Sequence, residues 1–465
     1  MTGLMMKLGE LGPLFPEILM TVFMLFVLLA GLVVKKKSIM AFLSILGAAT
    51  VAYVIPISTG TAFDGMFVSD GYSMFFKYIF MMSIFFVALM SINYSAIDER
   101  HSGEYYSLML LASIGMMLMA SAGDLIVLYL GLELMSLSIY VLTGFLRHNQ
   151  KSNEAALKYF LLGAFATAIL LYGIAMIYGL TGTTNLKAVA EYIAKNGIAA
   201  NPVMLLAVIS ITVAFLFKIA AVPFHMWAPD AYEGAPTPIT AFMSIGPKAA
   251  AFAAFGRVFF EALDLAKTDW GAILIAVAIL TIAVGNILAI AQTNIKRMLA
   301  YSSIAHAGYM LIGIIPGTKE GMDAMMIYML IYAFMNMGAF AVVILLGRED
   351  IKSYGGLAKT HPFISAAMLV FMFSLTGIPP TAGFIGKFYL FMAAINAGYT
   401  WLVVIAVIFS VASAFYYLRI VVNMYMKEMK EEAAIAPSPS LSLVILITVL
   451  MVFIIGIMPS PFLNL

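Results

Sequence analysis

The sequence predicts an all-α polytopic membrane protein, and three observations carry that expectation. Of 465 residues, 63% are hydrophobic and only 10% charged, far from the roughly half-apolar usage of soluble domains. Apolar runs longer than the roughly 18 residues that a membrane helix needs recur along the whole chain. The connections between them are short and polar, and no block of mixed composition exceeds about 25 residues. A single membrane domain over 1–465 is the economical reading.

Composition also excludes several functions. A net charge of +2, with basic residues scattered among loops, does not suit nucleic-acid binding. With no cysteine in the chain, cysteine-ligated iron–sulfur clusters, thiol catalysis and disulfides are ruled out. No Walker motif and no glycine-rich turn after a strand is present, so neither NADH nor ATP is handled by this chain. The 36 methionines are spread through all the apolar runs and read as packing.

Taken in order, the run Leu14–Val34 is too long for a signal-peptide core and lacks a small-residue cleavage site, so it is a retained first helix. Further spans are expected near 38–58, 73–94, 104–122, 124–146, 154–180, 202–222, 238–262, 270–291, 297–316, 323–347, 361–395, 400–423 and 440–458, about 14 in all. The connection Thr181–Asn201 has room for a short surface helix. An even number of spans puts both termini on one side. One set of loops holds Lys35, Lys36, Lys37, Arg100, Arg147, Lys151, Lys296, Arg297, Arg348, Lys352, Lys359, Arg419, Lys427 and Lys430. The opposite set holds Lys7, Lys187, Lys195, Arg257, Lys267 and Lys319. By the positive-inside rule the first set is cytoplasmic and the termini are external.

Two spans are interrupted. The run after Asn201 carries Lys218 and then breaks at Pro223-Phe-His-Met-Trp-Ala-Pro-Asp230, followed by Glu233-Gly-Ala-Pro-Thr-Pro238 and a second run with Lys248 near its middle. The run 361–395 is cut by Thr376-Gly-Ile-Pro-Pro380, and Lys387 follows. Proline in a membrane helix costs backbone hydrogen bonds, so these are breaks rather than bends. Five helices lie in 104–262 and five in 270–423, and in each group the fourth is broken and carries a lysine. Because five is odd, tandem units enter the membrane from opposite sides, which makes an inverted repeat whose broken helices mark ion or proton sites. A three-helix region, 1–103, precedes the repeats, and a loop with a last helix, 424–465, follows.

The candidate functional residues are the ionisable groups inside spans: Glu133, Lys158, Lys218, Lys248 and Lys387. Each costs about 2.5–3.5 kcal/mol at a helix centre, so such residues persist only if they pair or work. Burial disfavours a charged lysine while a nearby carboxylate restores it, and a chain of such groups is a proton relay. Lys158 lies about a turn and a half inside its helix, within reach of the interface by snorkelling, and for Lys77 snorkelling is the favoured reading. A static structural ion pair is the competing reading for the deeper residues. His306 is the one histidine inside a span; it is either a structural hydrogen-bonding residue or an auxiliary member of the relay, and a two-histidine haem lacks its second ligand.

The motifs Leu128-Tyr-Leu-Gly-Leu-Glu133-Leu, Glu154-Ala-Ala-Leu-Lys158-Tyr-Phe, Phe217-Lys218-Ile-Ala-Ala-Val-Pro-Phe-His-Met-Trp-Ala-Pro-Asp230, Gln292-Thr-Asn-Ile-Lys-Arg-Met-Leu-Ala-Tyr-Ser-Ser303 and Gly383-Phe-Ile-Gly-Lys387-Phe together resemble subunit N of respiratory complex I, the proton-translocating NADH-quinone oxidoreductase. The resemblance covers nearly the whole chain. It implies a glutamate (Glu133) paired with a lysine at the first break (Lys218), a connecting lysine (Lys158), a central lysine (Lys248) and an exit-side lysine (Lys387). It also implies other antiporter-like and small membrane subunits as partners in the bilayer, with NADH, flavin, iron–sulfur clusters and quinone bound by partner subunits and none in this chain. The location implied is the cell inner (plasma) membrane. Subunit L of such complexes carries a long lateral C-terminal helix, and the end at Leu465 just after the last span argues against it. Three functions remain open at this point: a complex I proton channel, a subunit of a sodium/proton antiporter or of a hydrogenase- or ferredoxin-driven pump, and a scaffold whose charges only hold helices together.

Overall fold

The computed structural model describes residues 11–198, 201–264, 267–428 and 438–463. Lys7, Lys430 and both chain ends lie outside the described residues, as does the side chain of Lys267. The chain divides into two compact units, Met1–Ile219 with Gly246–Trp270, and Ala220–Ile245 with Gly271–Leu465.

In the first unit, α1 (Phe15–Val33) and α2 (Lys37–Val54) are followed by an antiparallel hairpin, β1 (Gly60–Ala62) and β2 (Phe67–Ser69), then α3 (Gly71–Ser91). The hairpin is an addition to the helix-only expectation. After it come α4 (Ser102–Ala120), α5 (Leu125–Thr143), α6 (Gln150–Thr181), the short α7 (Leu186–Asn196) and α8 (Pro202–Lys218). The helix expected within Thr181–Asn201 is α7. The second unit opens with α9 (Trp227–Gly234), and α10 (Thr237–Arg257) begins in it and ends in the first unit as a π-helical turn, Val258–Ala262. Then follow α11 (Lys267–Ala291), α12 (Ile295–Ile314), α13 (Lys319–Leu346), the single turn α14 (Leu357–Thr360), α15 (Pro362–Thr376), α16 (Ala382–Asn396), α17 (Thr400–Met426), α18 (Pro439–Ile457) and the short α19 (Ser460–Leu463).

Eleven helices among the described residues are long and apolar enough to cross a membrane, and Pro202–Lys218, Pro362–Thr376 and Ala382–Asn396 are apolar but shorter. The shorter ones border the two breaks read from the sequence. At the second break α15 ends on Gly377, whose φ of +93° is the left-handed helix terminus that glycine adopts without strain. Helix starts are set by short polar side chains: Asp70 and Ser73 form a capping box on α3, and Asn149 accepts from Lys151 N and Ser152 N at the head of α6. At the far end of α3, Lys37 donates to the carbonyls of Tyr94 and Ile97.

Lipid tails offer no hydrophobic drive between helices, so close packing must supply it, and small residues let backbones meet. A methyl group added at Gly115 of α4 would lie 2.5 Å from the Gly131 carbonyl oxygen and from the Met135 nitrogen of α5. Gly31 of α1 and Gly103 of α4 touch backbone to backbone in the same way. Large apolar side chains remain exposed along α1, α6, α17 and α18, including Leu29, Phe165, Val411 and Leu446. Those faces suit lipid or neighbouring membrane helices.

Candidate functional site

In the first unit the site is built on α5. Asp124 caps that helix by accepting from Ile126 N, and its second oxygen takes the Thr184 hydroxyl, which ties the helix start to the loop before α7. Glu133 sits in the middle of the helix, half-buried, and its Oε1 is buried with no hydrogen-bond donor among the described residues. One turn further along is Ser136 and two turns along is Tyr140.

Lys218 is the last residue of α8. The chain cannot continue the helix, because Ala220 takes a left-handed φ of +59° and Pro223 follows. Lys218 therefore stands at the carbonyl end of a helix, where the aligned peptide dipoles favour a cation. It is 3% exposed. Its Nζ donates to Ser136 Oγ at 2.7 Å and reaches the Tyr140 hydroxyl at 3.4 Å. The Ser136 hydroxyl spends its own hydrogen on the Leu132 carbonyl, so it faces the lysine as an acceptor. The ammonium is thus directed to the serine one turn beyond Glu133 rather than onto the carboxylate itself.

Lys248 lies inside α10, next to the intrahelical Pro247, and is 2% exposed. Lys158 is placed differently. It is on the outward face of α6, 45% exposed, in an ion pair of 2.7 Å with Glu154 four residues earlier. Lys77 corrects the snorkelling expectation outright. It is 0% exposed and stands 2.7 Å from a carboxylate oxygen of Glu17, itself 4% exposed. Arg257, read from sequence as a loop residue, is likewise buried, held by Asp70 and Glu261 and stacked on Tyr72. Burial pushes the Asp70 carboxyl up, but the Arg257 hydrogen bond and charge outweigh it and hold the group below its usual range.

In the second unit, Lys387 of α16 is 5% exposed and donates to the Leu375 and Thr376 carbonyls at 3.2 and 2.8 Å and to Ser410 Oγ of α17 at 2.8 Å. Two of its acceptors are thus the open carbonyls at the end of α15, so this lysine closes a broken helix. Its Nζ lies 5.0 Å from the centre of the Tyr309 ring. A cavity of about 570 Å³ opens beside it, lined among others by Phe384, Phe388, Val407 and Ser410. Both ring nitrogens of His306 are used, Nδ1 with the Tyr328 hydroxyl at 2.7 Å and Nε2 with Tyr417 at 3.1 Å. Ser302 also bonds Tyr417, and Asn286 links Tyr309 to Tyr416. Hydroxyl groups on α12, α13 and α17 thus surround the histidine and approach the lysine. The sequence reading singled out none of these tyrosines.

Chemically, the amines of Lys218, Lys248 and Lys387 are groups able to hold a proton or give it up. Among the described residues no group of three histidines, cysteines or carboxylates could hold a metal ion.

Broken helices carrying buried amines inside a polytopic helical fold define an antiporter-like membrane subunit. Residues 122–413 match the family model described as NADH:quinone oxidoreductase/Mrp antiporter, transmembrane. The chain is 50% identical to NADH-quinone oxidoreductase subunit N 1 of Thermodesulfovibrio yellowstonii over 97% of each chain. Among solved structures it is similar to a chain of respiratory complex I from Thermus thermophilus, with a TM-score of 0.83 and 34% identity, covering 97% of this chain and 99% of that one. It is also similar to a chain of the membrane-bound sulfane sulfur reductase, an archaeal respiratory membrane complex, with a TM-score of 0.85 and 28% identity over 97% and 95% of the two chains. The chain belongs to the NADH-quinone oxidoreductase subunit N family.

Proposed function

We propose that this chain moves protons across the cell inner membrane as an antiporter-like subunit of a membrane-bound NADH-quinone oxidoreductase, driven by quinone reduction in other subunits. The observation that carries the reading is the burial of Lys218, Lys248 and Lys387, 3%, 2% and 5% exposed, inside helices of membrane character. Such residues are expensive unless they work. In this reading Glu133 sets the charge state of Lys218, Lys248 is the central carrier, Lys387 faces the exit, and His306 with its tyrosines assists. Lys158 connects the early carriers, with Glu154 as its resting partner. The segments 104–262 and 270–423 are the inverted repeats, 1–103 is the N-terminal region and 424–465 the C-terminal one. NADH, flavin, iron–sulfur clusters and quinone belong to partner subunits, and other antiporter-like and small membrane subunits are neighbours in the bilayer. Loops 35–37, 147–152 and 348–360 face the cytoplasm and both termini face outward.

The test is Lys218→Ala in the assembled, reconstituted complex. Electrons should still reach quinone from NADH while proton pumping falls sharply. Pumping at the wild-type ratio removes Lys218 from the relay, and a wild-type complex that accepts electrons only from a donor other than NADH would move the chain to a related pump.

A further inference from the structure

A buried pair of charges among the described residues stands outside the proposed relay. Glu17 lies in the first turn of α1 and Lys77 two turns into α3, with Lys77 Nζ 2.7 Å from Glu17 Oε1. Among the described residues no other side chain hydrogen-bonds the Glu17 oxygens or the Lys77 nitrogen, and only the backbone N–H of Glu17 itself turns toward its carboxylate. The groups facing the pair offer little else. On α3 itself Asp70 is engaged by Arg257 at the helix head. On α2 the one charge is Lys37, which is occupied by carbonyls at the far end of α3. On α4 the one charge is Glu104, paired with His101 in the first turn. The strand β2 brings Phe67, whose ring centre is 5.1 Å from the Lys77 nitrogen.

Two ions taken out of water repay their desolvation only when geometry is good and their remaining hydrogen-bonding capacity is filled. Here the contact is short, but the remaining hydrogen-bonding capacity of both groups is largely unfilled. A neutral amine beside a neutral carboxyl carries no such burden, while the facing ring still supports the cation. The two forms differ only in the place of one proton along a path of 2.7 Å.

We infer that Glu17 and Lys77 form a proton-exchange site separate from the lysine relay. An N–H bond of Lys77 breaks and an O–H bond forms on Glu17, leaving amine and carboxylic acid, and the reverse step restores the ions with no further reactant. The site sits two turns along α3 from Asp70, whose partner Arg257 ends the helix that carries Lys248, so a shift of α10 reaches the pair through one rigid helix. This step rests on the proton-pumping reading, since turnover supplies the change that tips the pair.

The test is infrared difference spectroscopy of the assembled complex, resting against turning over. The wild type should show a carbonyl band of a protonated carboxyl that appears or disappears with turnover. Glu17→Gln should remove the band, Glu17→Asp should shift it, and Lys77→Met should abolish the change by removing the exchange partner. A carboxyl region left unchanged by Glu17→Gln, or a change that persists in Lys77→Met, would overturn the assignment and leave a static pin between α1 and α3. If Glu17→Gln does not assemble, Glu17→Asp decides alone, an unshifted band being the refuting result. Failure of the pumping reading would show separately, as a wild-type complex that moves no protons.

Discussion

Replacing Ser136 by alanine tests whether the hydroxyl that faces Lys218 sets how readily that lysine fills. Ser136 Oγ accepts from the lysine at 2.7 Å and its own hydrogen is committed to the Leu132 carbonyl. A hydrogen bond from a charged donor contributes about 1.5–3 kcal/mol and one from a neutral amine about 0.5–1.5 kcal/mol. Its removal therefore disfavours the loaded lysine over the empty one by roughly 1–1.5 kcal/mol, or about five- to twelvefold in proton occupancy. Tyr140, at 3.4 Å, is too distant to replace it without movement. Protons pumped per NADH by the assembled Ser136→Ala complex should fall at neutral pH and recover at a pH about one unit lower, because a weaker base fills when protons are more abundant. Ser136→Thr keeps the oxygen and should stay near the wild type. Pumping unchanged in Ser136→Ala, or reduced equally at every pH, would refute the reasoning.

Glu133→Gln removes the negative charge one turn from Ser136; pumping should drop and partly return on acidification, with Glu133→Asp intermediate, and a loss independent of pH would show a purely structural role. Lys387→Met strips the side-chain donor from the Leu375 carbonyl at the end of α15, at about 1–3 kcal/mol, while the Thr376 carbonyl keeps the Ser410 hydroxyl, so both pumping and thermal stability should fall; Lys387→Arg should restore stability but not pumping, since a guanidinium does not give up its proton. Asp70 is held below its usual range by Arg257, so its contribution is full above the unfolded value of about 3.9 and is lost as pH falls through the lower folded one; Asp70→Asn keeps the cap, should cost roughly 1 kcal/mol because the carboxylate is 40% exposed and screened by solvent, and should flatten the acid limb of thermal unfolding. Single cysteines at Lys36, His148 and Lys359 should react with an impermeant thiol reagent only from the cytoplasmic face, and labelling from outside would invert the proposed topology.

Hydropathy made the helices legible because a membrane helix must satisfy its backbone internally and face an apolar medium, so long apolar runs admit few other structures. The run expected at 104–122 is Ser102–Ala120, and the one at 440–458 is Pro439–Ile457. Thr376-Gly-Ile-Pro-Pro380 announced its break because glycine and proline act on the local backbone. Side-chain partners were less legible, because they depend on how each helix is rotated about its axis. Lys77 and Lys158 look alike in sequence, yet one is enclosed and the other is 45% exposed. In a helix apolar all round, nothing local tells which side meets a neighbour. Glu17 is illegible for the same reason: at the edge of its run it resembles a boundary charge. Nothing in the sequence groups the tyrosines around His306, and only the fold gathers α12, α13 and α17 around one imidazole.

The meeting of Gly115 with Gly131 has a mechanical consequence. With no side chain between them, α4 and α5 behave as one plate: sliding or turning α5 would drive backbone atoms into backbone atoms, and packed interiors do not yield gradually. Glu133, Ser136 and Tyr140 are mounted on that plate, like contacts on a fixed terminal. The lysine opposite hangs from the C-terminal tip of a helix, on a stem of four methylenes. In the proposed relay, opening or closing the circuit between them is the work of the tip and its stem, and what sets the stroke is the few ångströms that one lysine can swing.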